Sequence, residues 1–150
     1  MLTSVVALLV AAPVAAYFLA DPERLELDGA ARQQAPGSFV RLTDGYTHYE
    51  IDGPESGRLV VLAAGFSVPY YIWDPTFTAL TRAGFRVLRY DYYGRGYSDR
   101  PDTRYTQDFY IRQLTELLDA LKINRPMDLV GLSFGGSVVT SFADRYPDRV

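Results

Sequence analysis

Apolar and polar positions along this chain fall into three patterns, and each predicts a different kind of element. The first is an unbroken apolar block. No charge occurs from Leu2 to Ala20, and Val5 through Ala20 is apolar throughout. Nineteen such residues in a helix would span about 28 Å, close to the hydrocarbon thickness of a bilayer. The block is apolar on every face, which argues against a helix packed into a soluble core.

The second pattern is a set of short apolar runs bounded by turn residues. Phe39–Leu42 and Tyr46–Ile51 read as strands of a hairpin around Thr43-Asp44-Gly45. Pro54–Gly57 is a polar turn, and Arg58–Ala63 follows as a strand buried on both faces. Phe85–Tyr90 and Met127–Leu132 read the same way. The third pattern is helical spacing. Asp74-Pro75 opens a helix, with Asp74 as N-cap, that should end at Gly84. Thr106 caps a longer one, with Asp108 in its first turn and Ile111, Leu114, Leu117, Leu118 and Leu121 along one side. Lys122 suits its last turn and Pro126 stops it. Val138, Phe142 and Tyr146 mark one face of a final helix.

A hairpin followed by β-α-β-α-β-α predicts an α/β fold: a mostly parallel sheet with helices on both faces, joined by right-handed crossovers. Three segments are expected. Residues 1–20 form a hydrophobic helix acting as membrane anchor or signal peptide. Residues 21–37, mixed in charge with Gln, Pro and Gly, form a linker, and residues 38–150 form the α/β domain. Val14-Ala15-Ala16 resembles a cleavage site, but no Lys or Arg precedes the block, which favours the anchor. The protein is therefore expected to be membrane-anchored or exported to the periplasm or outside, with cleavage of residues 1–20 left open.

Composition narrows the chemistry. The formal charge is −3 and no Lys/Arg-rich run occurs, so nucleic acid is not an expected partner. With no cysteine and one histidine, disulfides, thiolate chemistry and a structural zinc site are not expected, and neither a metal nor a cofactor is predicted. Catalysis must rest on Ser, Asp/Glu, Tyr or backbone donors.

The candidate is Gly131-Leu132-Ser133-Phe134-Gly135, a G-x-S-x-G stretch. Alone the pattern is weak. Here it follows a predicted buried strand and opens a predicted helix, the arrangement of a nucleophile elbow. So tight a turn would bring side chains at 131 and 135 into collision, hence the glycines. It would lift the Ser133 hydroxyl clear of the sheet, beside a helix amino terminus that favours negative charge. Ala63-Ala64-Gly65-Phe66 follows the first buried strand, and Asp91-Tyr-Tyr-Gly-Arg-Gly-Tyr-Ser98 the second. Asp91 and Ser98 are expected to hydrogen-bond their own loop rather than a substrate.

These three motifs, in this order, resemble the amino-terminal half of an α/β-hydrolase-fold serine hydrolase of the esterase, lipase and carbon–carbon-bond hydrolase type. The resemblance implies that Ser133 is the nucleophile and that the backbone N–H groups of Phe66 and Phe134 form the oxyanion hole. It also places strand 85–90 beside 58–63, and 58–63 beside 127–132. Serine at 133 argues against haloalkane dehalogenases and epoxide hydrolases, whose relatives carry Asp there. Many relatives have His-Gly ahead of the oxyanion residue where this chain has Ala64-Gly65. The donor is a backbone group, so the hole survives, but the histidine's steadying hydrogen bond is not provided.

In the family the acid and the histidine follow the nucleophile. Here only a helix with Asp144 and Asp148 follows it. His48 lies in the early hairpin, alternates with Tyr46 and Glu50, and is expected at a partly solvated strand position far from the elbow. Strand 127–132 would also have an uncovered apolar edge. The expectation is a fold truncated after the nucleophile helix, with the acid, histidine and any cap beyond residue 150. The 150 residues alone would then be inactive.

Two functions remain open. One is hydrolysis of carboxylic esters or acylglycerols through an acyl-enzyme on Ser133, with carbon–carbon-bond hydrolysis as a variant on the same fold. The other is a non-catalytic, hydrolase-like membrane-associated binding protein, if the chain ends at Val150. For an ester or lipid substrate, Phe66, Tyr70, Tyr71 and Trp73 are candidates to line an acyl pocket.

Overall fold

The computed structural model describes residues 11–17, 19 and 27–150. The chain divides into two compact units, residues 1–33 and 34–150. Residues 11–17 are helical. Most of the apolar block read as an anchor or signal peptide lies outside the described residues. Among the described residues no helix is long and apolar enough to cross a membrane. Within the stretch read as a linker, Gly29–Gln34 forms a short helix, α1, whose first turn is held by the Asp28 carboxylate on the Ala31 N–H at 2.8 Å.

The α/β unit is built on five strands: β1 (Ser38–Leu42), β2 (Gly45–Asp52), β3 (Leu59–Ala63), β4 (Arg86–Tyr90) and β5 (Asp128–Gly131). Its helices are α2 (Asp74–Arg82), α3 (Gln107–Ala120) and α4 (Phe134–Arg145). The sheet order is β1-β2-β4-β3-β5. The hairpin β1–β2 and the β2–β4 pair are antiparallel, while β4–β3 and β3–β5 are parallel, so the sheet is mixed. The three apolar runs neighbour one another as the resemblance implies.

This order dictates the layering. The path β3-α2-β4 moves one way across the sheet, and β4-α3-β5 returns past β3 the other way. Crossovers of one hand then put α2 and α3 on opposite faces. The packing agrees. Leu59, Val61 and Ala63 of β3 face the larger core with Leu114, Leu117, Leu118, Val138 and Phe142. Val60 and Leu62 face the smaller one with Phe77 of α2. Alternate residues of one strand thus feed two cores, each fully buried side chain contributing about 1.5–3 kcal/mol of transfer free energy.

Most local signals were realised, with corrections at Asp74, at Lys122, which lies beyond the last turn of α3, and at β5. That strand was expected to be buried on both faces and is only partly buried at this end of the sheet. Thr106 caps α3, its hydroxyl accepting from the Phe109 N–H at 3.3 Å. Asp74, by contrast, does not cap α2. The N-cap is Trp73, without a side-chain cap bond, and Asp74 is the first helical residue. Its carboxylate turns instead to Arg89 of β4, which also holds Glu50 of β2 at 2.6 Å. Arg89 lies 7% exposed, its guanidinium 4.3 Å from the Tyr70 ring and 4.2 Å from the Phe77 ring. Burial pulls its pKa down, but hydrogen bonds to Glu50 and Asp74 outweigh that and raise it.

Candidate active site

All three candidate loops leave the carboxyl ends of parallel strands: 64–69 after β3, 91–99 after β4, and the turn at 132–133 after β5. In an open α/β sheet that is the edge at which ligands bind, where the strand order reverses.

Ser133 sits between β5 and α4 with φ 53° and ψ −118°, a conformation that costs a residue bearing Cβ about 1–3 kcal/mol. The strain is over-determined by its surroundings. The Leu132 N–H donates to the Ala63 carbonyl at 3.0 Å, and the Gly135 N–H turns back to the Leu132 carbonyl at 2.8 Å. The two glycines are required, though not by collision with each other's side chains. A Cβ on Gly131 would run into the backbone of Gly135 and stand 2.5 Å from the Gly136 nitrogen. A Cβ on Gly135 would press into the end of β3, 2.5 Å from the Ala64 oxygen. The elbow is thereby seated against β3, and the Ser133 side chain is exposed.

The loop after β3 passes beside the serine. A Cβ built on Gly65 would lie 3.9 Å from Ser133 Cβ, so this glycine borders Ser133 directly. The next residue, Phe66, stands edge-on to Phe134 with ring centroids 5.6 Å apart. Phe134 in turn contacts Tyr92 at 5.8 Å and Tyr110 at 5.2 Å, which gives the elbow an aromatic flank. Burial raises the pKa of both tyrosines, so both hydroxyls stay neutral at ordinary pH. Among the described residues, the backbone N–H groups of Phe66 and Phe134 donate to no protein acceptor. Two free donors thus flank a strained, exposed serine at a helix amino terminus. Such an arrangement can stabilise an oxyanion formed on an attacked carbonyl.

Asp91 and Ser98 hydrogen-bond within the 91–98 loop, as expected, and also reach outside it to Tyr70 and His48. Asp91 Oδ1 accepts from the Tyr70 N–H at 2.7 Å, and Oδ2 accepts from the Tyr97 N–H at 3.0 Å. Ser98 Oγ donates to the Asp91 carbonyl at 2.7 Å and accepts from the His48 N–H at 2.9 Å.

His48 overturns its expected environment. It is 1% exposed, not partly solvated. Its Nδ1 meets Asp91 Oδ2 at 2.8 Å and its Nε2 meets the Pro36 carbonyl oxygen at 2.5 Å. Its ring stacks on Tyr70 at 4.8 Å. Both ring nitrogens are engaged away from Ser133, in keeping with a structural role. The alternation of β2 misled because both of its faces are covered: Thr47 is buried too and accepts from Gln113 Nε2 of α3 at 3.0 Å.

The proposed acyl-pocket aromatics separate. Phe66 is at the elbow, Trp73 packs into the smaller core, and Tyr70 and Tyr71 line a cavity of about 400 Å³ with His48 and Tyr97. Among the described residues no group of three or more His, Cys, Asp or Glu is placed to hold a metal ion. Arg95, which the sequence reading passed over, joins two of the motifs: its Nε donates to the Phe66 carbonyl at 2.5 Å.

Comparison with known proteins places this geometry in context. A family model described as alpha/beta hydrolase fold matches residues 58–150. The chain is 46% identical over 66 residues to a 2-hydroxymuconate semialdehyde hydrolase of Pseudomonas sp. (strain CF600), covering 43% of this chain and 23% of that protein. Among solved structures, a hydrolase from Pseudomonas aeruginosa PA01 superposes with TM-score 0.71 at 37% identity, over 77% of this chain and 43% of that one. An enol-lactonase from Burkholderia xenovorans LB400 superposes with TM-score 0.71 at 33% identity, over 75% and 44%. The chain spans less than half the length of these relatives.

Proposed function

The chain belongs to the α/β-hydrolase fold family, and from that premise we propose that it carries the nucleophile of a serine hydrolase acting on carboxylic esters or acylglycerols. Ser133 Oγ attacks the ester carbonyl carbon. The proton of the hydroxyl passes to a histidine that, with its orienting acid, belongs to chain beyond residue 150. The amides of Phe66 and Phe134 hold the oxyanion of the tetrahedral adduct. The adduct expels the alcohol, which takes the proton back, and water then releases the acid from the acyl-enzyme. The observation that carries this reading is the strained, exposed Ser133 with two unengaged backbone donors beside it. The likeness to an enol-lactonase supports it, since a lactone is a cyclic ester.

The likeness to a 2-hydroxymuconate semialdehyde hydrolase favours a second reading, carbon–carbon-bond hydrolysis at the same serine. Labelling of the full-length product with a fluorophosphonate tests both. The label is expected to go to Ser133, and Ser133→Ala should lose about 10⁴-fold or more in kcat. Labelling or turnover that survived Ser133→Ala would overturn both readings. Parallel assays on an ester and on a vinylogous diketone then separate them. Absence of any labelling would favour the non-catalytic binding protein. We also propose attachment to a membrane, or export, through residues 2–20, on the strength of their uncharged length. Fractionation with amino-terminal sequencing decides whether they are retained.

A further inference from the structure

We propose that Arg95 is a positioning residue for the oxyanion hole, clamping the loop that carries Phe66. This inference rests on the ester-hydrolase reading of Ser133. The guanidinium engages Phe66 twice: Nε donates to its carbonyl at 2.5 Å, and the cation lies 4.5 Å from the centre of its ring. A second nitrogen, Nη1, donates to the carbonyl of Gly94 at 2.7 Å and anchors the side chain to its own loop. That loop is itself held by hydrogen bonds. Asp91 accepts from the Tyr97 N–H, and the Gly94 N–H donates to the Asp99 carbonyl at 2.8 Å.

The clamp fixes a direction. Phe66 has its carbonyl and its ring held from one side by Arg95, while its ring also packs on Phe134 at 5.6 Å. With carbonyl and side chain both fixed about one Cα, the position of the Phe66 nitrogen is fixed as well, leaving only rotation about N–Cα to aim its N–H. That N–H needs such help, because Gly65 before it carries no side chain to hold the loop and borders Ser133. Arginine suits the task where lysine does not. Its flat, delocalised cation can stack on a ring while donating in-plane to two carbonyls. Arg95 thus supplies the steadying contact that the Ala64-Gly65 pair, lacking a histidine, leaves to be found elsewhere.

The test uses the full-length enzyme with an activated ester. Arg95→Ala is expected to lower kcat about 10–100-fold with KM changed by less than about 3-fold. One of two oxyanion donors would be misaligned while ground-state binding stays intact. Affinity for a boronic acid that mimics the tetrahedral adduct should fall in parallel with kcat. Guanidinium at low, non-denaturing concentration should restore part of kcat, and ammonium should not. Should the alanine variant fold poorly, Arg95→Met, which keeps the stem, carries the same readouts. A raised KM with kcat unchanged would make Arg95 a substrate-binding group and overturn the proposal. So would a rate loss accounted for wholly by a smaller fraction of titratable enzyme. Wild-type kcat in Arg95→Ala beside an inactive Ser133→Ala would fail the clamp alone; an active Ser133→Ala would fail the parent reading.

Discussion

Two neighbouring glycines at the start of α4 differ sharply in what they tolerate. A Cβ on Gly135 presses into the backbone at the end of β3, 2.5 Å from the Ala64 oxygen and 2.9 Å from the Ala63 carbonyl carbon. Neither is a side chain that can swing aside. A Cβ on Gly136 meets nothing nearer than the Gly131 oxygen at 3.7 Å, an ordinary contact, within a helix that glycine weakens. Gly135→Ala should therefore cost about 3 kcal/mol in chemical denaturation and displace the serine, while Gly136→Ala should gain about 0.5–1 kcal/mol. Equal effects would mean the turn is not seated on β3. The need for glycine at 131 and 135 was legible in the spacing alone, because it follows from a tight strand-to-helix turn. What each glycine avoids was not, since the neighbour of Gly135 is β3, some 70 positions earlier. His48 failed for a related reason. Alternation reports which face a side chain takes, not what covers that face, and the Asp91 carboxylate comes from 43 residues away.

Helix ends show how one motif can be built with and without glycine. α2 closes with the Phe85 N–H on the Leu80 carbonyl at 3.1 Å and the Gly84 N–H on the Thr81 carbonyl at 3.0 Å. α3 repeats the pair with Ile123 on Leu118 at 2.9 Å and Lys122 on Asp119 at 3.0 Å. The left-handed position is Gly84, φ 89°, in the first and Lys122, φ 57°, in the second. Lys122 pays the steric cost of a Cβ in that conformation, about 1–2 kcal/mol. Lys122→Gly should raise stability by about 0.5–1 kcal/mol after allowing for the freer unfolded chain. Gly84→Ala, where a Cβ would touch nothing within 4 Å, should cost about 1 kcal/mol from conformation alone. Matched denaturation midpoints for the two variants would contradict this. The reading of Lys122 as a favourable last-turn charge found the right boundary and missed its geometry. Element existence was legible here because the apolar spacing repeats over many residues. The partner chosen by Asp74 was not, because a buried Arg89 on another element outcompetes the helix's own N–H groups for its carboxylate.

At the scale of the whole α/β unit, the loops of the candidate site are tied to the hairpin through Asp91, His48 and Tyr70, and that junction should be sensitive to alkali. Burial, with the negative charges of Glu50, Asp91 and Asp74 adding and Arg89 opposing, pushes the Tyr70 hydroxyl up to about 12. Tyr90 and Tyr92 are raised as well, with burial the main cause in each. A tyrosine whose folded pKa exceeds its unfolded value, about 10, binds its proton more tightly when folded. Its contribution is fully present below pH of about 10 and is lost as pH climbs towards about 12. Titration by ultraviolet absorbance should therefore show a late-ionising class that includes Tyr70, Tyr90 and Tyr92. These should ionise only together with loss of the far-ultraviolet circular dichroism. Tyr70→Phe keeps the stack on His48 and the ring beneath Arg89 while removing one buried ionisable group, so its unfolding midpoint should shift to higher pH. If Tyr70 ionised below that window with the fold intact, the junction would be open to water, and the loops flanking Ser133 could not be held as rigidly as the proposed oxyanion hole requires.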